Sequence, residues 1–285
     1  MSDWPTPKFV ELPSIRIAVY EYGTPSRPPL LLLHGGLSTG LNWHDIATGL
    51  ADEWFVLAPD SRGRGLSGHP EDGDYSTEAF VSDAKAVVGD YGISKLAIGG
   101  HSEGGANATA FAATYPDIVS SLLVLENAHD LNFAAMAASA PPNAIKVPIG
   151  TTFADWDEAR RWQISHLPNV SIEAIDRRIH SRLVENDGAI AWREDLRIFP
   201  YKGAHPQTAD DRLEPIKKVQ CRTRFLLATS SNLVSDEAAD TAVSNMPDAS
   251  WTRIPNTGHN LHEDNLGDSL AAIRDFLAGD EALSL

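Results

Sequence analysis

Cysteine is nearly missing: the chain of 285 residues carries one, Cys221. A single thiol cannot close an internal disulfide, so burial must hold the fold and nothing demands an oxidising compartment. Basic residues are scarce as well. Lys and Arg total 23 against 39 Asp and Glu, a formal net charge of −16, which speaks against nucleic acid or an anionic membrane as partner, because phosphates are bound chiefly by Lys and Arg. No apolar run is long enough to span a bilayer. Met1-Ser-Asp-Trp-Pro5 lacks the basic start and apolar stretch of a secretory signal, so residence in the cytoplasm is the expectation. Neither H-x-x-x-H spacing nor clustered Cys and His appears, and no metal or organic cofactor is expected. Internal repeats and low-complexity tracts are lacking.

What is present is a succession of short apolar runs. Leu30–Leu33, Phe55–Ala58, Leu96–Ile98, Leu122–Leu125 and Phe225–Leu227 alternate with helix-like segments, the pattern of a mainly parallel sheet covered on both faces. Lys8–Leu12 and Ile15–Tyr22 read as an opening hairpin at an antiparallel edge. The expected fold class is therefore α/β.

Ser102 lies in Gly100-His101-Ser102-Glu103-Gly104, a G-x-S-x-G sequence. The run before it reads as a buried strand and the alanine-rich Ala106–Tyr115 after it as a helix. A serine in such a strand-to-helix turn needs small neighbours and presents its hydroxyl above the sheet. Serine is a poor nucleophile at neutral pH, so a base must take its proton and a third group must orient that base.

With these residues the chain resembles the serine α/β-hydrolases of the esterase and lactonase kind. The likeness rests on Leu30–Gly36, on Asp60-Ser-Arg-Gly-Arg-Gly-Leu-Ser67, on Gly100–Gly105 and on Gly258-His259. It implies an α/β-hydrolase fold with Ser102 as nucleophile and His259 as base. His262 reads as a solvated or capping residue, whereas His34 and His101 neighbour the site in sequence. The His34-Gly35-Gly36 loop resembles the family's oxyanion donor, which assigns the N–H groups of Gly36 and Glu103 to the developing alkoxide. Asp60 and Arg62 are expected to brace the elbow.

The acid departs from the common pattern. Where many relatives carry it, after the late strand, this chain has Ser231 beside Asn232, and neither can hold a charge opposite an imidazolium. Glu126, ending Leu122-Leu-Val-Leu-Glu126, resembles the alternative arrangement of some haloalkane dehalogenases and of macrocyclic lactone hydrolases. Asp236, Asp130 and a site with no third acid stay open, as does a plain strand-capping role for Glu126.

Residues 131–215 lose the strand alternation. Ala134–Ala140, Asp155–His166 and Ile172–Glu185 read as short helices divided by Pro141-Pro142, Pro168 and Gly188. This is where the family inserts a helical lid, so the expected organisation is a core of residues 1–130 and 216–285 with 131–215 as lid. Of its aromatics, Phe153, Trp156, Trp162, Trp192, Phe199 and Tyr201, most are expected in the lid's own core. Phe153, Trp156, Trp162 and Trp192, with His34, are the candidate substrate contacts. The resemblance implies hydrolysis of carboxylic esters through an acyl-enzyme, with lactones, including macrolactones such as macrolide antibiotics, as the favoured small-molecule substrates. A carbon–carbon bond hydrolase, a cofactor-free dioxygenase and a non-catalytic ligand-binding homologue are the alternatives. Ser in place of Asp at the elbow argues against epoxide hydrolase and dehalogenase chemistry.

Overall fold

The computed structural model describes residues 4–139, 143, 150–198 and 208–279. In chain order its elements are β1 (Lys8–Glu11), β2 (Arg16–Tyr22), β3 (Pro29–Leu33), α1 (His44–Leu50), β4 (Phe55–Pro59), α2 (Thr77–Asp90), β5 (Leu96–His101), α3 (Glu103–Thr114) and β6 (Val119–Leu125). Then come α4 (Phe133–Ala138), α5 (Trp156–His166), α6 (Ile172–Arg182), β7 (Leu183–Asn186), β8 (Ala189–Trp192), α7 (Ala209–Lys218), β9 (Arg222–Ala228), α8 (Asp236–Ser244), β10 (Ala249–Ile254), α9 (Leu261–Asp264) and α10 (Leu266–Leu277). The main sheet runs β1-β2-β4-β3-β5-β6-β9-β10. Its first two strands are antiparallel, as the opening hairpin predicts, and every pairing from β4 to β10 is parallel.

Successive side chains of a strand point to opposite faces, and the central strands are apolar at both. Leu31, Leu33, Ile98, Leu122, Val124, Phe225 and Leu227 join one core, under α2, α3, α7 and α8. Leu30, Leu32, Ala97, Leu123, Leu125, Leu226 and Ala228 join the other, under α1 and α10. A strand wanted on both faces cannot alternate polar and apolar residues, which is why these runs look continuous in sequence. Because the strands are parallel, the segments following β3, β5, β6, β9 and β10 all emerge at one rim, where open α/β sheets form their crevices.

Residues between β6 and β9 differ from the expectation in one respect. α6 stops at Arg182, and the chain continues as a β7–β8 hairpin, not as helix to Glu185. Asp187 and Gly188 form its turn with φ of 50° and 79°. Two positive values in succession match the tight turn that best fits strand twist, so Asp-Gly here is a hairpin signal and not a helix break. α7 packs Ile216 into the first core. Ala140, Pro141-Pro142, Phe199 and Tyr201 lie outside the described residues.

Polar contacts fasten α6 to the core. Arg177 pairs with Asp45 and Arg178 with Glu263, while Thr39 Oγ1 donates to Ser181 Oγ at 2.8 Å. Among the described residues no helix is long and apolar enough to cross a membrane.

Candidate active site

β5 ends at His101, and Ser102 then takes φ 53°, ψ −119° before α3 begins, a conformation that residues with a Cβ seldom adopt. Close packing imposes it. A Cβ at Gly100 would stand 2.1 Å from the Gly104 carbonyl oxygen, and one at Gly104 would stand 2.2 Å from that of Leu33. Ser102 N–H donates to Leu125 O at 2.8 Å, and its own carbonyl accepts from Gly105 N–H at 2.9 Å and from Asn127 Nδ2 at 3.0 Å. The turn is thereby tied to β6 and to its own helix. Gly100→Ala is expected to cost about 1–3 kcal/mol or more through overpacking, read as a lower melting temperature. Unchanged melting would show that the turn has room to spare.

Glu126, one residue past β6, is completely buried and also left-handed, with φ 51°. Its Oε1 accepts from Ala228 N–H at 2.6 Å. Its Oε2 accepts from Ser231 Oγ and faces His259 Nδ1 at 3.3 Å. With Nδ1–H directed at a carboxylate, the neutral ring keeps its lone pair on Nε2, the tautomer a general base requires. The loop carrying His259 is fixed from two further sides. His101 Nε2 donates to the His259 carbonyl at 2.7 Å, their rings 4.7 Å apart, and Gly258 N–H donates to Asp264 Oδ2 at 2.8 Å. Burial, then the neighbouring His259 and His262, hold the His101 pKa well below the ordinary imidazole value, so His101 acts as a neutral donor. The other acid candidates point elsewhere. Asp236 pairs with Arg253 at 2.6 Å and is mostly exposed, and Asp130 is exposed.

On the oxyanion side, Gly36 faces the start of α3: a Cβ there would meet only Glu103 Oε2, at 3.8 Å. The Glu103 carboxylate is paired with the buried Arg64. Arg64 is thus the residue of the Asp60–Ser67 loop that reaches the elbow. Asp60 accepts from Gly40 N–H at 2.7 Å and Leu66 N–H at 2.8 Å, and Arg62 clasps Asp83 of α2 at 2.6 and 2.7 Å. Those two brace the loop itself.

Several expected contacts are structural. His34 is buried, with Nδ1 on Gly35 O at 2.7 Å and Nε2 accepting from Ser61 N–H at 2.9 Å. Burial, reinforced by Arg64, pushes its pKa down to about 3. Both nitrogens being engaged, this ring fastens two rim loops to each other and has none left to offer a substrate. Phe153 is 1% exposed in a small core with Ala159, Ile179, Leu183 and Ile190, against which Trp156, Trp162 and Trp192 pack. Phe153 and Trp162 rings lie 5.4 Å apart, Trp162 and Trp192 likewise 5.4 Å, and Trp192 Nε1 donates to Thr151 O at 2.7 Å. The segment is too small to bury a core without these rings, so Phe153 is not a substrate contact; Trp162 and Trp192 pack on it and on each other, and Trp156 lies against His180 at 4.3 Å. His262, expected in solvent, is instead buried and stacked on Trp43 at 4.6 Å.

Ser231, Asn127, Arg64 and Asp264 were not singled out from sequence as parts of a working site. Two of them carry a local hint: Arg64 lies within the loop motif, and Ser231 stands where many relatives carry the acid. Among the described residues no group of three or more His, Cys, Asp and Glu is placed to hold a metal ion.

A family model described as alpha/beta hydrolase fold matches residues 28–266. The chain is 29% identical over 268 residues to the sn-1-specific diacylglycerol lipase ABHD11 of Mus musculus, covering 90% of this chain and 83% of that one. It is 27% identical over 273 residues to the 2-(acetamidomethylene)succinate hydrolase of Mesorhizobium japonicum, covering 94% of each. Among solved structures, an E-2-(acetamidomethylene)succinate hydrolase superposes with a TM-score of 0.82 at 25% identity, covering 95% of this chain and 98% of that one. The thioesterase domain from the curacin biosynthetic pathway gives 0.81 at 26%, covering 96% and 98%.

Proposed function

The chain belongs to the alpha/beta hydrolase fold family, and from that premise we propose that it is a serine hydrolase of carboxylic esters, lactones foremost, working through Ser102, His259 and Glu126. The observation that carries this reading is the buried Glu126 carboxylate facing His259 Nδ1 at 3.3 Å beside a serine held in a strained strand-to-helix turn. Ser102 Oγ attacks the acyl carbonyl while His259 Nε2 takes its proton, and the imidazolium returns that proton to the leaving alkoxide. The N–H groups of Gly36 and Glu103 receive the oxyanion, where each such donor contributes typically about 100- to 1000-fold in rate. Water, deprotonated by the same histidine, then attacks the acyl-enzyme, and the carboxylic acid leaves as Ser102 regains its proton. In a lactone the alcohol stays attached to the acyl group, so ring opening adds one water and releases no fragment.

Within the expected lid of residues 131–215, we assign α5, α6 and the β7–β8 hairpin the part of a cover over the rim, since Arg178 of α6 pairs with Glu263, four residues beyond His259. The names of the relatives, a diacylglycerol lipase, a thioesterase domain and a 2-(acetamidomethylene)succinate hydrolase, span acyl groups of very different size. The reading as an enzyme of activated carbonyls agrees with all three. The preference for ring esters rests on the position of the acid.

A mass-spectrometric panel of linear esters, a thioester and lactones from small rings to macrolides tests this. Lactones are expected to gain one water without fragmentation. Turnover of the linear esters alone would remove the lactone assignment, and absence of any fluorophosphonate adduct on Ser102 would remove the serine mechanism. Oxygen uptake during turnover would identify a dioxygenase instead.

A further inference from the structure

Ser231 stands where the commoner arrangement of this fold would put the acid, and its hydroxyl is turned onto the acid that this chain uses. The residue is 2% exposed. Its Oγ accepts from Leu233 N–H at 3.2 Å, which directs the hydroxyl proton to Glu126 Oε2. That is the same oxygen that faces His259 Nδ1. Glu126 Oε1 is taken by Ala228 N–H at 2.6 Å. The carboxylate is thus completely buried among three donors, two of which share one oxygen.

We propose that Ser231 is a positioning residue for the reaction assigned above: its hydroxyl fixes the Glu126 carboxylate and sets how strongly that carboxylate holds the His259 imidazolium. This rests on that assignment for its catalytic meaning but not for its physical one. A buried carboxylate is stabilised as the anion by each donor it accepts, and a donor on Oε2 draws down the electron density that His259 would otherwise meet. Removing the hydroxyl leaves Oε2 to His259 alone. The imidazolium is then held more tightly and keeps its proton to higher pH.

Two readouts separate the claim from its premise. In Ser231→Ala, the His259 ring followed by nitrogen NMR is expected to titrate about 0.5 unit higher or more than in the wild-type protein, a measurement that needs no substrate. On an activated ester, kcat is expected to fall about 10-fold with KM within twofold, the acid limb of kcat/KM moving upward by the same interval, and Ser231→Thr is expected to recover most of the rate. A purely structural hydroxyl would lower the melting temperature, since Leu233 N–H loses its acceptor, and leave both the ring titration and the acid limb in place. That result overturns the proposal. A shifted titration in a protein inert to esters would keep Ser231 on Glu126 and His259 while ending the ester reading; ester turnover with an unshifted titration would do the reverse.

Discussion

Ser102→Ala is expected to abolish turnover of an activated ester such as p-nitrophenyl acetate, by about a millionfold if the site works as a unit, the scale seen when a nucleophile is removed from a serine hydrolase. The fold should survive. The bonds that hold the turn come from backbone atoms of residue 102, to Leu125, Gly105 and Asn127, and alanine keeps all of them. It also keeps the Cβ that already sits at φ 53°, so no new strain arises. The measurement is initial rate together with a thermal melt and fluorophosphonate labelling. Retained turnover in a folded variant would remove Ser102 from the mechanism and require a different nucleophile.

Glu126→Gln is the second large effect, about 10,000-fold in kcat by analogy with an acid-to-amide change that leaves a triad's geometry intact. The local chemistry explains the size. Glu126 accepts from Ala228 N–H, Ser231 O–H and His259 Nδ1, and an amide offers those three partners one accepting oxygen and an N–H₂ group that can only donate. If its oxygen stays with Ala228, its N–H₂ faces both Ser231 and His259, and the imidazole adopts the tautomer that puts the hydrogen on Nε2. The base is then disarmed without being moved. Buried and unmatched donors should also cost about 1–3 kcal/mol of stability. Asp236→Asn is the control: the Asp236 side chain is mostly exposed where it meets Arg253, and the rate should stay within about twofold, as for a surface ion pair. A large loss there, with Glu126→Gln active, would relocate the acid.

Those effects bear on what the sequence alone could disclose. The elbow is legible because its constraints are local: Gly100 and Gly104 fall within a few residues of the serine they make room for. The parallel sheet is legible because strands buried on both faces become unbroken apolar runs. Glu126 could be proposed from its place at a strand end, but the bond from Ser231 spans 105 positions along the chain, and no periodicity reports such a partner. His262 and His34 mislead for a related reason. His262, in a polar stretch, looks solvated, and His34, opening the glycine loop, looks free to meet substrate, yet tertiary packing puts the first on Trp43 and engages the second with Gly35 and Ser61. The hairpin at Asp187-Gly188 was readable from its turn dipeptide but lay hidden within an otherwise helical stretch.

Ser102 and Glu126 each occupy the position just beyond one of two adjacent strands, and each departs from the right-handed backbone there. Such conformations raise the energy of the native state by about 1–3 kcal/mol apiece. Glycine at position 102 would relax the main chain while deleting the proposed nucleophile, whereas at position 126 it would also leave the buried Ala228 N–H without its acceptor. On the proposed reading, thermal hardening and turnover therefore pull against each other at Ser102, and an engineer wanting a sturdier catalyst must find the gain elsewhere in the sheet.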